Sequence, residues 1–458
     1  MAALKCCAIS LTVVVIFAAE PHAAEPVEMR ERMRPGATTH VKVELKAQGL
    51  YLAAAAAGAG KAESPKPLAL KVEAELDFME RVLKADDEGH PSRVVRRVLR
   101  AGSAINGEIR PASSSLRPEV ALLVGEPRGD KIVVFSPGGP LTRSELELVQ
   151  GPGDPLALEG LLPAKPVSLG DRWVVSLGAA KSLTSYDVVG SNTLEATLET
   201  VDAGAAKVRL RGEVRGSVLG GEGTIACDGA YTFDRKAGRI DRLTLNRAET
   251  RRPGIVEEGL DVKSTLSVVR QAAEAPPELT DAVLGGLSLD SNPARERLVY
   301  RSPGGRYSLL HDRDWHTYWD DSRVTVLKRV VDERLTAQCN LAVGPNAGKG
   351  RHQETAQFRD DVRKGLGARF SQFLGAGEVE GDPAGGFRYK VGVQGRQGEL
   401  GVVWYYYLIA SPDGDQILAT FTMAEPQLKA FGDEDELLIG SLRWRENEAK
   451  AVPAAPPR

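Results

Sequence analysis

The chain has 458 residues, sets 59 Lys and Arg against 62 Asp and Glu for a formal charge of -3, and carries 10 Phe, 10 Tyr and 5 Trp. That charge provides no global positive field to hold a phosphate backbone, which excludes nucleic acid as a general partner. At roughly 100 to 200 residues per domain the length supports two or three domains without disulfide staples, and 48 Gly with 27 Pro favour strands and turns over a helical bundle.

Residues 1–24 read as an address. Lys5 opens a run, Cys6 to Ala19, that is apolar but for Ser10 and Thr12 and too short to span a bilayer, which takes about 20 residues. The expectation is a signal peptide, a periplasmic or secreted location, and no transmembrane helix once the signal is removed. Cleavage after Ala24 would put His22 where a small side chain is preferred, so release and retention as an anchor both stay open. Cys7 precedes the apolar run, the wrong place for a lipidated cysteine. Cys227 and Cys339 are expected as buried core thiols.

From 25 to 275 the pattern has period two. Val41, Val43 and Leu45 alternate with Lys42, Glu44 and Lys46, and Leu70 to Phe78 alternates in the same way. The alternation returns in Leu194–Leu198, Val208–Leu210, Ile225–Phe233, Leu243–Leu245 and Val262–Val268. One wet face per strand predicts a mainly antiparallel domain, a large curved sheet or half-barrel. Within it, Ser92 to Arg100 could place Arg93, Arg96, Arg97 and Arg100 on one helical face against an anionic surface; a solvated face beside a core strand or helix is the preferred reading. Leu141 to Gln150 reads as a helix with Thr142 as cap and Glu145 three residues on.

Two stretches, Phe135-Ser136-Pro137-Gly138-Gly139-Pro140 running on to Leu146, and Leu161 to Trp173 with its Gly170-Asp171 turn, resemble signatures of uncharacterised exported bacterial β-rich domains. Residues 276–296, from Pro276-Pro277 to beyond Asn292-Pro293, read as a linker. After it, 297–446 predicts an α+β domain: strands at Tyr307–His311, Val324–Lys328 and Thr336–Val343, a helix over Glu354–Leu374, then strands at Phe387–Val393, Gly401–Ile409 and Gln416–Thr422. Val402 to Ile409 is apolar or aromatic throughout and should be covered on both faces. A last helix should begin at Pro426 and face the core with Leu428, Phe431, Leu438 and Leu442. Residues 447–458 read as a disordered tail.

Gly305-Arg306-Tyr307-Ser308-Leu309-Leu310 followed by Trp315, the mid-domain helix, and Ile439-Gly440-Ser441-Leu442 resemble the PsbP-like family. The resemblance implies an antiparallel sheet flanked by helices, an α/β/α sandwich, and a noncatalytic accessory or assembly role. The family usually carries a proline just before that tryptophan, where this chain has His311-Asp312-Arg313-Asp314.

The one dense group of metal-capable side chains is His311-Asp312-Arg313-Asp314-Trp315-His316 with Asp320-Asp321. In an extended segment His311 and His316 have opposite parity, so no metal, cofactor or catalytic residue is assigned, and a metal at His311, Asp314 and His316 stays open. Gly58-Ala59-Gly60-Lys61-Ala62 lacks the earlier glycine and the hydroxyl of a phosphate loop. Gly221-Glu222-Gly223 has no following helix. Asp433-Glu434-Asp435-Glu436 reads as a solvated helix segment. The expectation is an exported, non-enzymatic binding or assembly protein of the cell envelope with an unknown protein or envelope component as partner. The alternatives are carriage of an apolar small molecule or lipid in the N-terminal sheet and, more weakly, metal-dependent hydrolysis.

Overall fold

The computed structural model describes residues 26–53, 66–380 and 386–444. The expected signal peptide, the Gly58–Ala62 loop and the expected tail lie outside them. Period-two sequence becomes strand where one face can be buried. Six strands come first: β1 (Thr38–Leu52), β2 (Leu68–Ala85), β3 (Pro91–Gly107), β4 (Ala112–Ser115), β5 (Leu122–Arg128) and β6 (Lys131–Phe135). Two helices follow, α1 (Arg143–Val149) and α2 (Pro155–Leu158), then β7 (Arg172–Val174) and α3 (Leu177–Thr184). The series continues with β8 (Val188–Asn192), β9 (Glu195–Val201), β10 (Ala205–Val218), β11 (Gly221–Asp234), β12 (Arg239–Arg251) and β13 (Gly259–Ala272).

These strands form one antiparallel sheet in the order β6-β5-β3-β2-β1-β13-β12-β11-β10-β9-β7, with β4 beside β3 and β8 beside β10. No pairing joins β6 to β7, so the sheet is open. Its apolar face is filled by its own chain. Leu146 and Val149 of α1, Leu158, Leu161, and Ala180 and Leu183 of α3 pack into the same core as Leu210, Leu245 and Leu266. Each such leucine, fully buried, contributes roughly 1.5 to 3 kcal/mol. α1 starts as the sequence predicts: Thr142 Oγ1 accepts from Glu145 N–H, and the Glu145 carboxylate accepts from Thr142 N–H at 2.8 Å.

The sheet also buries charge. Arg270 donates to both carboxylate oxygens of Glu31, at 2.6 and 3.1 Å, and Arg96 donates to Glu80 at 2.8 Å and to Asp154 at 2.6 and 2.7 Å. Each of these charged side chains is almost wholly shielded from solvent. The network ties the first described segment, the sheet, and the cap of α2 together. The arginine row of β3 lies on a strand and is solvated only in part: Arg96 is buried, Arg93 pairs with Glu126 and Asp290, and Arg97 pairs with Glu278, while Arg100, paired with Glu75, is exposed.

Residues 276–296 are docked rather than strung between parts. They hold α4 (Asp281–Leu284) and α5 (Pro293–Glu296), bury Leu279 and Leu284 against Val95, and pair with Arg81, Arg93 and Arg128 of the sheet. Next come β14 (Leu298–Arg301), β15 (Tyr307–His311), β16 (Trp315–Asp320), β17 (Val324–Val331), β18 (Arg334–Gly344), α6 (Thr355–Leu366), β19 (Phe370–Glu378), β20 (Phe387–Gln397), β21 (Leu400–Ala410) and β22 (Gln416–Ala424). The chain closes with α7 (Leu428–Phe431), α8 (Glu434–Gly440) and β23 (Arg443–Trp444).

Seven of these strands form an antiparallel sheet, β16-β17-β18-β22-β21-β20-β19, and three form β14-β15-β23. β21 is covered on both faces, as expected: Val402, Trp404 and Leu408 pack with α6, and Val403, Tyr407 and Ile409 pack with α7 and α8. Two helices end earlier than their apolar spacing predicts. Gly367, at φ +55°, stops α6, and Phe370 and Phe373 pass into β19. A bulge at Ser371 offsets the period of that strand, so two residues three apart both face α6 and imitate a helix. Gly432, also at φ +55°, divides the last helix into α7 and α8.

Candidate functional site

The His311–Asp321 segment does not converge. His311 ends β15 buried, its Nδ1 2.9 Å from the Asp312 carbonyl, and burial pushes its imidazole down to about 4. Asp312 turns away to Arg297 at 3.0 Å. Trp315 is fully buried between Phe421 and Phe431, with Nε1 donating to Glu434 at 3.2 Å. Asp320 accepts from Tyr300 Oη at 2.7 Å and Thr325 Oγ1 at 2.9 Å, and Asp321 accepts from the Arg323 and Val324 amides. Among the described residues no group of three or more His, Cys, Asp or Glu is placed to hold a metal ion.

Arg313, Asp314 and His316 are brought together, in a recess of about 610 Å³ between α1, α3 and the β17–β18 turn. Arg143, at the start of α1, crosses the recess and donates from Nη2 to the Arg313 carbonyl and to the Trp315 carbonyl, the latter at 2.8 Å. Arg313 returns to Val134 O at 2.6 Å. Glu333 accepts from the Gly220 amide at 2.6 Å, joining the β17–β18 turn to the β10–β11 turn. Lys328 donates to Ile255 O at 2.7 Å.

Loss of hydration dominates the electrostatics of this recess. It pushes His316 down to about 3, with Arg143 adding repulsion, and lowers Arg143 itself against the pull of Glu147, Asp314 and Asp187. It raises Asp314, which Arg329 partly offsets, and raises Asp187, to which the Glu333 charge adds. Glu147 is open to solvent on one side but surrounded by protein on the others, and its carboxyl is pushed up to about 7. Perturbed groups in a cleft mark a site. Here a joint is also held: Arg143, Arg313 and Glu333 are spent on backbone groups of the opposite part.

A second hollow, of about 840 Å³, lies on the solvent face of the large sheet. Register aligns Glu73, Lys46, Thr265, Asn246, Asp228 and Arg211 in one row across β2, β1, β13, β12, β11 and β10, and Lys71, Gln48, Lys263, Ala248, Ala226 and Glu213 in the next. The residues between them, among them Cys227, Arg247 and Ser264, are buried on the other face. The wet face is thus a trough with a floor of small side chains and charged walls. Sequence periodicity places each of these residues on the wet face; only the pairing shows which share a row.

The other sequence candidates have structural places. Cys227 and Cys339 are free and buried, and burial pushes the Cys227 thiol up to about 11. Gly221–Gly223 opens β11 after the hairpin turn. The run Asp433–Glu436 is solvated only at Asp433 and Glu436: Asp435 is buried and accepts from Tyr407 Oη at 2.6 Å and Lys390 Nζ at 2.7 Å, and Glu434 pairs with Arg329 at 3.3 Å.

No family model and no curated protein matches the chain. Among solved structures it is similar to cyanobacterial PsbP (CyanoP) from Synechocystis sp. PCC 6803, at 14% identity over 32% of this chain and 92% of that one, with a TM-score of 0.26. It is also similar to a Bacteroides thetaiotaomicron protein, at 13% identity over 32% of this chain, with a TM-score of 0.24; the chain spans about half, 48%, of that protein. Lipovitellin is matched at 9% identity over 54% of this chain and 26% of that one, with a TM-score of 0.31. The PsbP-like resemblance is weak and partial.

Proposed function

We propose that this is an exported, noncatalytic binding or assembly protein of the cell envelope, and that it receives its partner in the trough of the large sheet. One observation carries the reading: the chain fills the apolar face of that sheet with its own helices and leaves a hollow on the hydrophilic face. A carrier of apolar ligands would need the opposite arrangement, an apolar hollow. Two further features support a noncatalytic role. Arg143, Arg313 and Glu333 in the recess are engaged in holding its two sides to each other, and the PsbP-like sequence motifs imply an accessory function. The parts flanking the recess, residues 25–275 and 297–446 in this reading, act as two domains clamped through Arg143, Arg313 and Glu333.

The test places a photo-crosslinking residue at Ala226 or Ala248 on the trough floor, or at Thr200 outside it, in the full chain expressed in an exporting host. Discrete adducts from the two floor positions and none from Thr200 are expected. Floor positions that yield no adduct, or the same adducts as Thr200, would overturn the reading.

A further inference from the structure

We infer that the trough takes an acidic polysaccharide segment, a hydroxyl-rich chain bearing carboxylates of the uronate type. This rests on the binding reading above and specifies its ligand. On a chain whose formal charge is -3, the exposed lining of the trough holds four cations, Lys46, Lys71, Lys263 and Arg211, against three carboxylates, Glu73, Glu213 and Asp228. Those carboxylates are already engaged: Glu73 pairs with Lys71 at 2.7 Å, Glu213 with Arg215 at 2.7 Å, and Asp228 with Arg209 at 2.5 Å.

Three cations are left over. Among the described residues Lys46, Lys263 and Arg211 have no carboxylate within ion-pairing distance, although Glu73 lies near Lys46 and Glu195 is the cross-strand neighbour of Arg211. Register puts Lys46 and Lys263 on adjacent strands, and Arg211 three strands beyond Lys263, at roughly 4.8 Å per strand. The positive groups therefore flank the floor from both sides. At the centre of the floor Thr265 Oγ1 donates to Asn246 Oδ1 at 3.0 Å, which fixes the amide and leaves its NH₂ to donate.

The unpaired charges of the trough are thus all cations, with the Asn246 and Gln48 amides beside them to donate, and their complement is an acceptor-rich anion. The floor selects the scaffold that bears the charge. Ala226 and Ala248 offer no large apolar surface for a lipid chain or a peptide's side chains, and the middle of a sheet offers no unpaired strand edge for a peptide backbone. Sugar hydroxyls meet Asn246 without either.

The test titrates the full chain, by calorimetry at low and at physiological salt, with oligogalacturonate, poly-glutamate and neutral dextran, and repeats it with the Lys46→Glu, Arg211→Glu, Lys263→Glu triple variant. The three residues are exposed, and an unchanged melting temperature confirms that the variant is folded. Oligogalacturonate is expected to bind, to weaken with salt, and to lose at least tenfold in affinity in the variant, with no binding of dextran. Absence of oligogalacturonate binding, binding undiminished in the variant, or equal binding of poly-glutamate overturns the inference. If the titration fails while crosslinks from Ala226 and Ala248 persist, the saccharide falls and the trough stands as a binding surface; if both fail, both readings fall.

Discussion

Glu31→Gln removes one charge from the buried network and should be among the most damaging single-atom changes in the N-terminal sheet. The carboxylate is 2% exposed and accepts from Arg270 at 2.6 and 3.1 Å and from the Ile240 amide at 3.1 Å. Glutamine keeps the shape and one acceptor but leaves Arg270 facing only the more distant Glu80 and Asp154. Removing one partner of a buried pair costs about 3 to 5 kcal/mol, and the retained acceptor places this change near 3. With residues 25–275 unfolding as the domain proposed above, roughly 250 residues carry an entropy near 0.5 kcal/mol/K, so melting should fall by about 6 °C in calorimetry. The double replacement Glu31→Leu with Arg270→Met leaves neither charge behind and should lose much less than the two single changes summed. A Glu31→Gln protein melting within 1 °C of the parent, or a double variant as damaged as the sum, would refute the claim that the pair is buried as a unit.

The histidines should make stability fall in acid. His311 and His316 are held neutral, at about 4 and about 3 against a usual 6.5, so the unfolded chain takes up protons first and stability present at pH 7 is lost as pH falls through 6.5 toward 4. Glu147, at about 7, works the other way between pH 4.5 and 7; melting curves from pH 7 to 4 should show the histidine effect winning, and His311→Asn with His316→Asn should flatten it. Arg143→Met leaves the Arg313 and Trp315 carbonyls without their donor, at about 1 to 3 kcal/mol each, less what is regained by removing a poorly hydrated charge. Hydrogen exchange should then speed up across residues 311–316 and at Gly220 while β11–β13 stay protected; unchanged exchange at the joint would refute its role there.

Strands were the readable part of this sequence because burial on one face writes itself as alternation. Val41 to Lys46 and Leu70 to Phe78 show it directly, and β1, β2 and β13 run where it appears. Alternation misleads where both faces are covered or the period slips. β3 carries Val95 on the side covered by Leu279 and Leu284 and Arg96 on the side of Glu80 and Asp154, so its arginines looked like a solvated row when one of them is among the most buried residues of the chain. Phe370 and Phe373 looked helical because the bulge at Ser371 gave a strand a spacing of three. Asp435 looked wet because its partners, Tyr407 and Lys390, belong to strands some 30 to 45 residues away.

The candidate sites were hidden for a related reason. Periodicity states which face a residue is on, but a site needs the row, and the row is a property of pairing between strands far apart in sequence. Lys46 and Arg211 share a row only because β1 pairs with β13 and β13 leads back through β12 and β11 to β10. The recess depends on still longer connections, since Arg143 reaches carbonyls 170 and 172 residues ahead of it. The His311–His316 segment attracted attention for its chemistry, yet its backbone does as much as its side chains, because two of its carbonyls are what the buried guanidinium holds. Density of titratable residues along a sequence therefore pointed to the joint between the sheets, while the trough has no such density in any one segment and shows only once the strands are paired.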